Sequence, residues 1–184
     1  MSDLRTFRQY DEHDVINLFT WSGTTSTAGV LLQAGKLVKV NTGFSAGNEP
    51  VDLMADAGNA YNNTLSETWK LTANVAPTGE GDTPLGMALV AVRDLDENGE
   101  KLIYNPRKAA EMGVVVPGQS VPILTRGLIM VKSAHATWAP AAGGTVYAGL
   151  SGELTSSNAN SVVAVGVALG AKDSNGYVLV KLEL

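Results

Sequence analysis

Val121-Pro122-Ile123-Leu124-Thr125-Arg126-Gly127-Leu128-Ile129-Met130-Val131 is an apolar run of strand length, and it opens a C-terminal third built of little else. Gly144-Thr145-Val146-Tyr147, then Val162 to Leu169, then Tyr177 to Leu184 repeat the pattern, each bounded by Gly, Asn, Ser or Asp. Short β-branched runs separated by turn residues predict a mainly β protein. In the last run Val178, Val180, Leu182 and Leu184 alternate onto one strand face, so an apolar side reaches the final residue and is predicted to be buried.

Working outward, Lys36-Leu37-Val38-Lys39-Val40 alternates as a half-buried strand does, between Gly35 and Gly43, and Val15 to Trp21 reads as the first clear strand. From Ser45 to Thr83 the pattern weakens into long loops around one or two strands, with one alternating stretch at Thr68 to Thr72. Leu85 to Val92 is apolar, and Asp96-Glu97-Asn98-Gly99-Glu100 leads on to Leu102-Ile103-Tyr104; Asn-Gly between two such runs predicts a hairpin. One helix is predicted, residues 105–113, with Asn105 as cap, Pro106 in the first position and Gly113 as terminator. Polar residues 1–13 read as an N-terminal arm on a single β-rich domain spanning 14–184. An echo links Gly86-Met87-Ala88-Leu89, Asp96 and Asn98-Gly99 with Gly166-Val167-Ala168-Leu169, Asp173 and Asn175-Gly176.

The 184 residues carry 18 acidic and 13 basic side chains, a net charge of −5 that disfavours a phosphate backbone as partner, and no Lys/Arg cluster interrupts that balance in the sequence. No run approaches the length of a membrane-spanning helix, and no apolar signal core follows Met1, so neither membrane nor secretion is expected. With no cysteine, stability must come from packing or from association.

The candidate chemistries each fail at a named residue. Asp94-Leu95-Asp96-Glu97-Asn98-Gly99 opens like a calcium loop, but the twelfth position is Asn105 where a bidentate Glu belongs. Asp11-Glu12-His13-Asp14 places neighbours on opposite strand faces, so the four do not converge. Gly149-Leu150-Ser151-Gly152-Glu153 ends in Glu where a nucleophile elbow needs Gly. Gly29 to Leu37 has one residue too many for a phosphate loop and Leu37 where Ser or Thr is required. No catalytic, cofactor or metal residue is therefore assigned. Among the large apolar groups, Phe7, Tyr10, Trp21, Trp138, Leu182 and Leu184 are the candidates for burial against another chain.

Val121 to Leu128, Ala142 to Tyr147, Gly152 to Thr155, Val165 to Leu169 and Gly176 to Leu182 together resemble the capsid decoration, or cement, proteins of tailed bacteriophages. The resemblance covers about residues 114–184 and implies a small β-barrel-like or β-tulip module. It further implies a non-enzymatic virion protein on the outside of the expanded capsid, bound to the major capsid protein and commonly trimeric. Another virion component, a tail-tube or head-fibre protein, is the alternative. A trimeric β enzyme using Asp94, Asp96 or His135 at subunit interfaces is the third reading.

Overall fold

The computed structural model describes residues 4–6, 10–21, 23, 29–43, 73–158 and 163–184. These form a mainly β chain with one α-helix among them and two six-stranded sheets, the first of which curls into a half-barrel. That sheet runs in the order β2 (Val15–Ile16), β10 (Ile123–Leu124), β7 (Gly86–Ala88), β5 (Leu37–Thr42), β6 (Asn74–Pro77), β3 (Thr20–Trp21).

Chain length dictates the curl. Its two edge strands, β2 and β3, are separated by only residues 17–19. Four Cα steps reach roughly 14 Å, whereas five inter-strand gaps in a flat sheet would span roughly 24 Å. The edges must therefore turn toward each other. Hydrogen bonds show the closure: Val121 N–H donates to Phe19 O at 2.8 Å on one side, and Thr20 N–H donates to Ala73 O at 3.0 Å on the other. The run Val15 to Trp21, expected as a single strand, is thus two short ladders on opposite edges. Phe19, Trp21, Val38, Val75, Ala88, Val121 and Ile123 fill the interior.

The second, open sheet follows the order β1 (Leu4–Thr6), β11 (Arg126–Val131), β15 (Val178–Glu183), β14 (Ala164–Ala168), β12 (Thr145–Ala148), β13 (Leu154–Thr155). Only Thr125 separates β10 from β11, so the quoted run Val121 to Val131 is one strand passing from the curled sheet into the open one. Thr125 fixes the crossing point, donating from N–H and from Oγ1 to Asp14 O and accepting from Leu184 N–H.

Of the predicted N-terminal arm, the structure describes residues 4–6 and 10–13. Leu4 pairs with Val131 and is buried in the core of the open sheet, while Val15 pairs with Leu124, so Leu4–Thr6 and Val15–Ile16 each lie antiparallel to the crossing strand, one in either sheet. Eight residues lie between Thr6 and Val15 against four between Leu124 and Ile129 on the partner side. The 3-10 turn Glu12–Asp14, capped by Asp11 Oδ1, shortens the longer path.

A three-stranded sheet, β4 (Val30–Leu32), β8 (Ala91–Arg93) and β9 (Val114–Val115), carries helix α1 (Pro106–Met112). The helix ends where expected, Gly113 adopting φ +62 and donating to Ala109 O and Ala110 O, but the Asn105 side chain makes no capping bond. The expected 85–104 hairpin is shorter than predicted: Leu95 bridges Lys101 antiparallel, with Asp96 N–H donating to Glu100 O and Leu102 N–H to Asp94 O, but β7 pairs with β5 and β10, and Leu102–Tyr104 is a 3-10 turn. Its tip is real, however. Asp96 Oδ1 accepts from Asn98 N–H and Glu100 N–H, and Asp173 Oδ1 accepts from Asn175 N–H and Tyr177 N–H, all within 2.8 to 2.9 Å. Gly99 and Gly176 follow at φ +84 and +83. The sequence echo therefore marks one turn design used twice, in different surroundings.

Candidate interaction face

Strand alternation splits the open sheet into two unlike sides. Register aligns Leu4, Val131 and Val178, and likewise Ile129, Val180 and Ala168, on the buried side. One residue along, Arg5, Met130 and Leu179 align on the outer side, as do Leu128, Lys181, Val167 and Thr145. Arg126 faces Glu183 in the next row. Leu128, Met130, Val167 and Leu179 are half-buried, while Arg5, Arg126, Lys132 and Lys181 are exposed. Long cationic side chains thus border a shallow apolar floor, their methylene stems covering part of it.

Three contacts order this border. The Arg5 guanidinium lies 4.1 Å from the centroid of the Tyr177 ring, a cation–π contact that ties β1 to the start of β15. Lys181 Nζ sits 2.8 Å from Glu183 Oε2 and, with Arg126 also nearby, holds that carboxyl below the ordinary glutamate value. Arg126 Nε approaches Asp14 Oδ1 at 3.7 Å.

The four cations lie far apart in sequence, at 5, 126, 132 and 181, and only pairing of β1, β11 and β15 gathers them. That is why no basic cluster is visible in the linear chain. A signal was present nonetheless: Arg126, Leu128, Met130 and Lys132 alternate against the buried Ile129 and Val131.

The sequence candidates fall in several places. Phe7 lies outside the described residues, as does the Thr68–Thr72 stretch. Trp21, Trp138 and Leu182 are buried within the chain's own cores, at 9%, 2% and 0% exposure, so their burial needs no second chain. Tyr10 lays its ring against Gly127, where a Cβ would stand 2.9 Å from its Cε1, and donates its hydroxyl to Leu128 O. Leu184 is 40% exposed. Asp96 is buried, with its carboxylate shared between the turn amides and Lys108, which holds it below the ordinary aspartate value. Asp94 has its backbone tied to Gly29 and Leu102, and the His135 ring bonds Thr137 within its own loop. Among the described residues no bond joins these three.

A polar seam unites the two sheets. Glu153, just before β13, ion-pairs with Lys36 at the start of β5 and accepts from Ser133 Oγ at 2.9 Å and Ala134 N–H at 3.1 Å. Burial pushes the Glu153 carboxyl up, but these donors together outweigh it and hold it below its ordinary 4.5. A folded value below the unfolded one gives stability that is complete above the unfolded value and is lost as pH falls through the folded one. Glu153→Gln is expected to flatten the acid limb of a stability-versus-pH curve measured by urea unfolding. Lys36→Met, which leaves the carboxylate half-paired, is expected to cost about 1.5–3 kcal/mol at neutral pH.

Leu102, Ala109 and Val116 make a small separate core under α1, and beside it Ile103 and Tyr104 are 60% and 79% exposed. Comparison of the chain with protein families, curated proteins and solved structures finds no match in any of the three.

Proposed function

We propose that this chain is a structural binding protein, a capsid decoration protein of a tailed bacteriophage, that stabilises the expanded shell from outside. The observation that supports the reading is where the family-like stretches lie. Ala142 to Tyr147, Gly152 to Thr155, Val165 to Leu169, Gly176 to Leu182 and the Arg126–Leu128 end of Val121 to Leu128 supply strands 126–131, 145–148, 154–155, 164–168 and 178–183 of one continuous antiparallel sheet, while Ile123–Leu124 belongs to the curled sheet. One side of that sheet is core; the other lies open, without a covering layer from the described residues. A wide face on a rigid sheet suits binding by contact area rather than by chemistry at a point.

Association with the major capsid protein and with other copies, as a trimer, would stabilise the shell by mass action, because the bound protein favours the assembled state. Purified protein added to expanded capsids lacking it is expected to bind stoichiometrically and to raise their disruption temperature. Absence of binding to both immature and expanded shells would sink the reading, and recovery in tail rings or in a few copies per particle would favour a tail-tube or head-fibre role. Full function after Asp94, Asp96 and His135 are each replaced by alanine would dispose of the enzyme reading.

A further inference from the structure

The charge on the open sheet opposes the charge of the molecule. Among the described residues its outer side carries Arg5, Arg126, Lys132 and Lys181 against Glu183 alone, a net +3, so in a chain of −5 everything else sums to −8. Two neighbours do not change the sign: Asp14 flanks Arg126, and at the 170–176 tip Lys172 and Asp173 cancel. The cations also sit in order around an apolar floor instead of being scattered among polar residues.

We propose that this face, Arg5, Arg126, Lys132 and Lys181 around Leu128 and Met130, docks onto an acidic protein surface. Charge complementarity identifies the partner. A positive patch attracts acidic surfaces and repels basic ones, so its complement is an acidic surface that presents apolar groups at the centre. Nucleic acid fits less well. Four cations with a half-buried apolar floor offer few phosphate contacts, and the remaining −8 repels a polyanion once it extends beyond the patch. The inference rests on the binding-protein reading and adds to it the face and the chemistry of the partner. It also gives β1 a role, because Arg5 reaches the patch only through the pairing of Leu4–Thr6 with β11.

The test uses the full chain and the triple variant Arg126→Gln, Lys132→Gln, Lys181→Gln, with Lys101→Gln, exposed just after the Asn98-Gly99 turn, as a control. All these side chains are exposed, and the thermal midpoint of each variant is expected to match the parent. On immobilised polyglutamate at low ionic strength the parent and the control are expected to be retained despite their net negative charge. The triple variant is expected to bind about tenfold more weakly or worse, and physiological salt is expected to release the parent. On expanded capsids the same order of affinities is expected. Equal retention of parent and triple variant, or no retention of the parent, would overturn the proposal. Binding of random duplex DNA that survives physiological salt when polyglutamate binding does not would also overturn it, in favour of nucleic acid. Polyglutamate retention without capsid binding would keep the face and reject the decoration reading, so the two failures are distinguishable.

Discussion

Gly166→Ala is expected to cost ~3–5 kcal/mol, lowering the thermal midpoint of a chain this size by roughly 10 °C. An alanine Cβ at this position would stand 2.1 Å from Lys181 O and 3.0 Å from its carbonyl carbon. Both obstacles are backbone of the neighbouring strand and cannot rotate away. Relief requires β14 and β15 to separate, which breaks the ladder that aligns Gly166 with Leu182 and loosens the core beneath it. Gly86 stands in the same position in the curled sheet, where a Cβ would meet Leu124 O and Ile123 Cγ2 at 2.5 Å, and Gly86→Ala should behave alike. Gly170→Ala, with nothing within 4 Å and an ordinary φ, is the matched control and should leave the midpoint unchanged. An unaltered midpoint for Gly166→Ala would show that β14 and β15 do not pair in this register.

Trp138→Ala is expected to destabilise the isolated protein by ~3–5 kcal/mol, because a large ring leaves a cavity that the surrounding sheet cannot close. Trp138 is 2% exposed and packs with Val131, Val146, Leu154 and Val180 in the core of the open sheet. The loss should be the same at low and high protein concentration. A loss that shrinks as the protein is diluted would mean that the ring is covered by another copy, because that cover is itself lost on dissociation. Trp138→Phe should cost much less, since the indole Nε1 has no acceptor among the described residues and its removal breaks no hydrogen bond.

The sequence read best where structure is local. Helix Pro106–Met112 follows from Pro106 at its first position and Gly113 at its end, though the Asn105 side chain makes no capping bond, and β15 from alternation over residues 177–184. Long-range geometry was not legible. Leu85 to Val92 looked like one arm of a hairpin because an Asn-Gly tip follows it, but β7 finds its partners in β5, about fifty residues before it, and β10, about thirty-five after. Trp138 looked stranded because Ala, Pro and Gly surround it. The bonds of its loop to Glu153 and Thr155 seat that loop on β13, and no local pattern announces such bonds. The basic face was hidden for a related reason. Alternation places Arg126 and Lys132 on one side of β11, yet the register that brings Arg5 and Lys181 beside them is set by pairing across more than a hundred residues for Arg5 and about fifty for Lys181.

The crossing strand also fixes how the chain bears force. β1 and β15 flank β11 and run antiparallel to it, so they are parallel to each other. Leu4 lies at the Val131 end of β11, and Glu183 lies at the Arg126 end. Tension applied at Leu4 and at Glu183 therefore pulls along the strands in opposite directions. Hydrogen bonds run across that direction, so every rung is strained together instead of being unzipped in turn. With three paired positions against six, β1 is the rung set that yields first, and β15 then holds as a second, stronger catch.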